Sequence, residues 1–222
     1  MQVSWVPLVK NLFFILCTAR SGSTLLRCIL NTHSEIYAPH EWNFHYLKVD
    51  FGSDHLRRSM KLHGWLAEDL RWMLQDRLYY EGLRDSGKKI LVEKTHSNLA
   101  DWRKIAAIWP GAKFVILFRR PDQTIESFAR SFNHTFASAR RNLLPKLDSL
   151  LAAFEEMDPK RRAKLQYEDL IRNPDKEVKK LCDFLEVEYE PGMLNYETKD
   201  IRPFNDGVGD WGKKIRSGKI QG

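Results

Sequence analysis

The chain has 222 residues, enough for one globular domain with a substantial core. Hydrophobic residues make up 43% and charged residues 29%, ordinary proportions that exclude disordered and fibrous proteins. Lys and Arg outnumber Asp and Glu by 36 to 29, which gives a net charge of +7. An anionic small molecule, a nucleic acid and an anionic membrane surface are therefore all candidate ligands, and the charge alone does not choose among them.

Three cysteines occur in the chain, an odd number without a C-x-x-C pair. This pattern argues against a disulfide framework or a zinc knuckle and favours reduced thiols in the cytoplasm. We expect Cys17, Cys28 and Cys182 to be small core residues. The longest apolar run near the start, residues 12–17, is far shorter than the roughly 20 residues that cross a bilayer. No cleavage site follows it, so the sequence predicts a soluble cytoplasmic protein without a signal peptide.

Strand and helix patterns alternate along the chain, without internal repeats or a Gly/Ser linker. Residues 11–18 predict a buried strand because they hold a continuous apolar run of strand length. A helix is predicted at 23–32, where leucine and isoleucine recur at helical spacing. Residues 54–83 predict one or two amphipathic helices rich in aromatic residues.

The second half of the chain continues the alternation. Further elements are predicted as a strand at 90–92, a helix ending before Pro110-Gly111, a strand at 113–118, a helix starting at Pro121, a helix at 142–157, a strand at 163–167 and a helix at 174–186, before an irregular basic tail. The alternation predicts a single-domain, three-layer α/β fold with a P-loop-like, mainly parallel central sheet flanked by helices.

The turn between the first strand and the first helix has the features of an anion site. Backbone N–H groups and the positive end of the helix dipole meet there. Gly22 allows close approach of an oxyanion, Ser21, Ser23 and Thr24 add hydroxyl donors, and Arg20 adds charge. The Walker pattern with its lysine is absent, which disfavours ATP or GTP hydrolysis. The alternative is an ordinary polar turn with a Ser/Thr cap.

A second basic turn follows the strand at 113–118. Arg119 and Arg120 lie at its carboxyl end, where ligands bind in open α/β sheets, and Ser127 follows on the next helix. The alternative is a pair of solvated charges at a helix start. Cations are unfavourable at a helix N-terminus unless an anion is present, so the pattern favours a second phosphate site.

These segments together resemble the PAPS-dependent sulfotransferases, whose donor is 3′-phosphoadenylyl sulfate. The five matches occur in family order from about residue 12 to 216. They are Arg20-Ser21-Gly22-Ser23-Thr24-Leu25 for the 5′-phosphosulfate loop, Lys94-Thr95-His96 for the Lys-Thr-His segment, Arg119 with Ser127 for the 3′-phosphate site, Tyr167 for the adenine-contacting tyrosine, and Gly209-Asp210-Trp211 with Lys213 and Lys214 for the C-terminal loop.

Some positions depart from the cytosolic branch of that family. Residues 204–206 replace its Arg-Lys-Gly, and Lys214 is the candidate substitute for the lost 3′-phosphate contact. Leu25 replaces the tryptophan that stacks on adenine. The sequence of the first loop resembles the bacterial and tyrosylprotein branches more closely. Because no Golgi membrane anchor is evident, we expect the bacterial branch.

The resemblance implies in-line transfer of a sulfuryl group from PAPS to a hydroxyl or amine of a small-molecule or carbohydrate acceptor. Sulfuryl transfer needs less charge neutralisation than phosphoryl transfer, so Lys94 and Arg20 are expected to suffice without a metal. No His, Cys, Asp or Glu group has convincing metal-site spacing, so none is predicted. The domain spans 1–222, and a helical insertion at about 41–88 is expected to lie on the acceptor side.

The acceptor proton needs a general base, and two residues fit. His96 matches the base of the cytosolic branch, and histidine is a common general base near neutral pH. Glu41, in Ala-Pro-His-Glu-Trp, matches the glutamate base of the tyrosylprotein branch. The sequence leaves both open, including joint action with one orienting the other.

Two other functions are compatible with parts of the pattern. A nucleotide or small-molecule kinase of similar fold lacks support, because the Walker lysine and an evident magnesium ligand are missing. A basic module that binds nucleic acid or polyanions would cluster its cations on one face, whereas the basic residues are spread along this chain. We therefore expect no nucleic-acid partner and no membrane anchor, and the oligomeric state stays open.

Overall fold

The computed structural model describes residues 5–196 and residue 220. Residues 204–206 and 209–214, including Lys214, lie outside the described residues. Five strands of the described part form one parallel sheet. The strands are β1 (Leu12–Leu16), β2 (Ile36–Tyr37), β3 (Ile90–Glu93), β4 (Lys113–Phe118) and β5 (Arg162–Gln166), in the order β2-β3-β1-β4-β5.

Helices connect consecutive strands, as parallel pairing requires. The α-helices are α1 (Ser23–Asn31), α2 (Asp54–Leu62), α3 (Ala67–Ser86), α4 (Trp102–Ile108), α5 (Pro121–Phe132), α6 (Phe136–Glu156), α7 (Tyr167–Arg172) and α8 (Pro174–Leu185). Short 3-10 helices occur at Phe44–Tyr46, His96–Asp101, Pro159–Arg161 and Pro191–Leu194.

Both faces of the sheet are covered. Phe13 and Ile15 of β1 join a core cluster with α1, α7 and α8 on one face. Phe14 and Leu16 join a second cluster with α3, α4 and α6 on the other face. A strand that is buried on both faces has a continuous apolar sequence, and this pattern made β1 predictable. The structure confirms the predicted α/β fold with a parallel sheet between two helical layers.

Element boundaries differ from the sequence predictions at several places. The helix expected at 142–157 begins at Phe136, because the Thr135 side chain accepts from the backbone N–H of Ser138 and caps it. It continues through Pro145. The last strand ends at Gln166, so Tyr167 begins a helix instead of ending a strand. The two-residue strand β2 was too short to show a pattern.

Three further expectations concern the cysteines, the tail and membrane-spanning helices. Cys17, Cys28 and Cys182 are buried free thiols, which confirms their prediction as core residues. In the first part of the predicted irregular tail, residues 191–194 form a 3-10 helix, and Met193 and Tyr196 pack into the core. Apart from residue 220, the rest of the tail lies outside the described residues. Across the described residues, no helix combines the length and hydrophobicity needed to span a membrane.

The strand order places a ligand-binding edge beside β1. The chain leaves β1 for β2 and β3 on one side, then crosses to β4 and β5 on the other. Ligands bind outside the carboxyl ends of the strands at such a reversal. Because every strand is parallel, the segments that follow β1, β3, β4 and β5 all start at this edge.

Candidate active site

The turn between β1 and α1 has a backbone shaped for anion binding. Arg20 and Gly22 have positive φ angles of 67° and 93°. No side chain caps α1, its first turn holds no acidic residue, and its first hydrogen bond runs from Leu26 N–H to Gly22 carbonyl. The N–H groups of that first turn, with the helix dipole behind them, therefore lack an intrahelical acceptor. We call residues 19–24 the phosphate loop.

Tyr167 supports this loop from the end of β5. A Cβ atom at Gly22 would lie only 2.2 Å from Cδ2 of the Tyr167 ring. The guanidinium carbon of Arg119 lies 4.5 Å from the centroid of the same ring. Glycine is thus required at position 22 for two reasons, the left-handed backbone and the close approach of the ring.

Two arginines converge at the phosphate loop. Arg119 Nη1 donates to the backbone carbonyl of Arg20 at 2.9 Å, and Arg20 Nε donates to Ser127 Oγ at 3.4 Å. Burial, and secondarily the charge of Arg119, lower the pKa of the Arg20 guanidinium. Within residues 5–196, neither arginine forms an ion pair with a carboxylate at close distance. The Glu168 carboxylate is near enough for the charge of Arg119 to lower its pKa, but it accepts from the backbone N–H of Arg120.

Buried polar groups also lie beside these arginines. Arg119 Nε makes no hydrogen bond within the described part of the chain, and the buried Ser21 hydroxyl interacts with the Cys17 thiol. Leaving a buried N–H group unpaired costs free energy, so Arg119 Nε indicates a ligand with acceptor oxygens. Together with the uncapped helix, the two close cations fit a bound anion of high charge.

A second group of charged side chains follows β2 and β3. Lys94 Nζ donates to Glu41 Oε1 at 2.5 Å, and His96 Nδ1 lies 3.6 Å from Glu41 Oε2. The Lys94 and Glu41 side chains are only 2% and 9% exposed, whereas that of His96 is 45% exposed. Glu41 therefore binds a buried lysine on one oxygen and an accessible histidine on the other.

The pKa of Glu41 reflects this double contact. Burial raises it, but the hydrogen bond from His96 and the charge and hydrogen bond of Lys94 lower it by more, to about 2. Glu41 is thus ionised in the ligand-free protein. A carboxylate held this tightly is a weak proton acceptor until one of its partners is engaged elsewhere.

Cys17 interacts with both the phosphate loop and the charged group around Glu41. Burial raises the pKa of its thiol, and a hydrogen bond with Ser23 and the charge of Lys94 lower it in part. The thiol therefore interacts with the phosphate loop and with Lys94. The structure brings the candidates at the ends of β1, β3 and β4 to one edge of the sheet, as the parallel topology predicts.

Other sequence candidates have different surroundings. The Leu25 side chain is buried in the core, so only its backbone is placed at the loop. Among the described residues, no group of three or more His, Cys, Asp or Glu side chains is arranged to hold a metal ion. Sequence reasoning missed Glu93, a buried carboxylate just before Lys94. Its signal was an acidic residue ending an otherwise apolar strand, Ile-Leu-Val-Glu.

A sequence model of the sulfotransferase family matches residues 13–191, which is most of the chain. The chain belongs to the sulfotransferase family. No curated protein matches it by sequence. Membership favours sulfuryl transfer over the kinase and polyanion-binding alternatives, because neither of these explains the matched segments.

Solved structures of sulfotransferases resemble the fold. The sulfotransferase domain from the olefin synthase of Synechococcus PCC 7002 has 27% identity and a TM-score of 0.66, with 89% of this chain and 82% of that chain covered. The sulfotransferase domain from the curacin biosynthetic pathway has 23% identity, the same TM-score, and coverage of 88% and 80%. Mouse sulfotransferase SULT7A1 complexed with PAP has 14% identity, a TM-score of 0.50, and coverage of 87% and 63%.

Proposed function

We propose that the protein transfers a sulfuryl group from PAPS to a hydroxyl or amine of a small-molecule or carbohydrate acceptor. The observation that carries this proposal is the phosphate loop with Arg20 and Arg119, two close cations that form no close ion pair with a carboxylate within residues 5–196. The buried, unpartnered Nε–H group of Arg119 suits a ligand rich in anionic oxygens. The PAP complex of the mouse structural relative is consistent with this donor.

The chain offers separate residues for the two ends of such a donor. The phosphate-loop N–H groups and the hydroxyls of Ser21, Ser23 and Thr24 would hold the 5′-phosphosulfate. Arg119 and Ser127 would hold the 3′-phosphate, and Tyr167 would contact the nucleotide beside them. Lys214 remains a predicted contact outside the described residues. When bound, PAPS supplies the electrophilic sulfur and a bisphosphate leaving group.

In the transfer step, an S–O bond forms to the acceptor oxygen as the bond from sulfur to the bridging oxygen breaks. Lys94 and Arg20 would neutralise the charge that develops on the leaving oxygen. Arg20 follows β1 and Lys94 follows β3, at the same edge of the sheet. The two side chains would therefore neutralise the leaving oxygen without a metal ion. The acceptor proton passes to the couple formed by Glu41 and His96.

The contacts of Glu41 support a link between donor binding and base strength. In the ligand-free protein Lys94 and His96 hold the pKa of Glu41 near 2. An anionic donor that shares Lys94 would weaken the lysine's effect and raise the proton affinity of Glu41. His96, with its more accessible ring, then lies where an acceptor can reach the couple.

The acceptor would enter on the side of the segment 41–88. This segment begins at Glu41 and includes Trp42 and Phe44, whose rings stack with centroids 5.3 Å apart. Both rings are partly buried against the core cluster of the α3 face. An aromatic wall beside the base couple favours an acceptor with an apolar or planar portion.

Calorimetric titration with 3′-phosphoadenosine 5′-phosphate tests the donor site before any acceptor is known. We expect binding that is independent of magnesium and tighter than that of ATP. Replacing Arg119 with Ala should weaken this binding by about 10- to 100-fold, because a charge-assisted hydrogen bond contributes about 1.5–3 kcal/mol. The matched control is Arg120→Ala, since Arg120 is exposed and pairs with Asp122.

The outcomes of this titration separate the possible functions. Equal losses in the two variants would reject the assignment of Arg119 to the 3′-phosphate. Preference for ATP with magnesium would instead indicate a kinase. Binding of neither nucleotide by the unmodified protein would overturn the proposal itself.

A further inference from the structure

Glu93 is a buried carboxylate at the carboxyl end of β3 that has no direct part in the proposed reaction. The residue is 1% exposed and lies beside Phe14 of β1 in the parallel register. Its Oε1 accepts a hydrogen bond of 2.5 Å from Thr95 Oγ1, and its Oε2 accepts one from Asn98 Nδ2. Both donors belong to the segment that immediately follows the strand.

That segment, residues 94–98, which we call the 94–98 loop, presents two of the proposed catalytic groups. Lys94 and His96 both contact Glu41 from it. The 3-10 helix that starts at His96 has no side-chain cap. Glu93 bonds one residue on either side of His96, at positions 95 and 98, so it fixes the course of the backbone around the histidine.

Core packing does not explain a carboxylate at this position. The other residues of β3 are apolar, and an apolar residue would fill the space without the cost of burying a charged group. Burial, with a smaller contribution from the charge of Glu41, raises the pKa of Glu93 to about 7 although the hydrogen bond from Thr95 and the charge of Lys94 lower it. Tyr79 of α3 also interacts with it electrostatically. The buried charge of Glu93 therefore lowers the stability of the folded state, whereas its hydrogen bonds to Thr95 and Asn98 organise the loop.

We propose that Glu93 is a positioning residue for sulfuryl transfer: it holds the 94–98 loop so that Lys94 and His96 meet Glu41. The inference rests on the proposed function, because the loop matters for catalysis only if Lys94 and His96 act there. The phosphate loop and Arg119 do not depend on Glu93 for any described contact. Of the 94–98 loop, Lys94 alone is proposed to meet the donor, so disturbing the loop should weaken binding of the bisphosphate product less than it slows turnover.

Thr95→Val is the sharpest test, because valine has the shape of threonine and lacks only the hydroxyl that Glu93 accepts from. We expect its kcat to fall about 10- to 100-fold, as small misplacements of catalytic groups commonly cause. Thr95→Ser, which keeps the hydroxyl, should retain kcat within about twofold. Glu93→Leu should behave like Thr95→Val, since leucine accepts from neither Thr95 nor Asn98.

Two measurements accompany turnover in each variant. Calorimetry should give dissociation constants for 3′-phosphoadenosine 5′-phosphate that rise by a smaller factor than kcat falls, because the phosphate loop and Arg119 are unchanged. Hydrogen exchange followed by mass spectrometry should show faster exchange confined to peptides covering 94–101 in Thr95→Val and Glu93→Leu. A general loss of stability would instead speed exchange throughout the core.

The inference is overturned if Thr95→Val keeps full turnover, or if turnover falls while exchange at 94–101 is unchanged. If Glu93→Leu fails to fold, the comparison of Thr95→Val with Thr95→Ser decides. The proposed function fails separately, by absence of bisphosphate binding in the unmodified protein. In that case the exchange comparison still shows whether Glu93 holds the loop.

Discussion

Glu41 contacts both Lys94 and His96, which makes the two candidate bases one coupled unit. Residues that act as a unit have non-additive effects on rate. We expect Glu41→Gln and His96→Asn each to lower kcat by about 100-fold or more, the usual scale of a general base. The double variant should be no slower than the slower single variant. Steady-state kinetics on all four proteins measures this.

The control for that cycle is His134→Asn, because His134 is exposed just after α5 and lies outside the segment 41–88. It should leave the rate unchanged. Multiplicative losses in the double variant would show independent functions instead of a couple. Full activity in either single variant would remove that residue from the proposed chemistry.

The contact between the phosphate loop and the start of α7 is an interaction between elements. Gly22→Ala places a methyl group against the Tyr167 ring and forces alanine into a left-handed backbone. The backbone strain alone costs about 1–2 kcal/mol. We expect a larger loss of unfolding free energy, together with loss of bisphosphate binding, because the loop or the ring must move. Urea unfolding and calorimetry measure the two effects.

Gly87→Ala is a matched control for that variant. Gly87 has a similar positive φ of 68°, yet a Cβ there would meet nothing within 4 Å. It should show the strain without the clash and bind the bisphosphate normally. Adding Tyr167→Ala to Gly22→Ala should recover part of the lost stability. Equal losses at the two glycines would contradict a special contact at Gly22.

Elements with strong local signals could be predicted from the sequence. β1 and β4 are continuous apolar runs, and parallel topology then places the residues after them, Arg20 and Arg119, at one edge. Contacts between distant segments could not be predicted in this way. The bond from Lys94 to Glu41 joins residues 53 positions apart, and the burial of Glu93 depends on packing from α3 and β1. Such features arise only from the tertiary fold.

Stability of the whole molecule should depend on pH through two carboxylates with opposite shifts. Folding lowers the pKa of Glu41 from 4.5 to about 2, so its contribution to stability is lost as the pH falls through that interval. Folding raises the pKa of Glu93 from 4.5 to about 7. The folded state then binds the extra proton, and stability falls as the pH rises from 4.5 towards 7.

Glu93→Gln isolates the second contribution, because glutamine does not titrate. The unfolding free energy of the unmodified protein, relative to that of Glu93→Gln, should fall by up to about 3 kcal/mol between pH 5 and 8. Urea unfolding at one-unit pH intervals measures the difference, and Glu155→Gln, on the exposed side of α6, should show none. A pH-independent difference would mean that Glu93 stays ionised in the fold. In that case Lys94 and the two loop donors outweigh its burial.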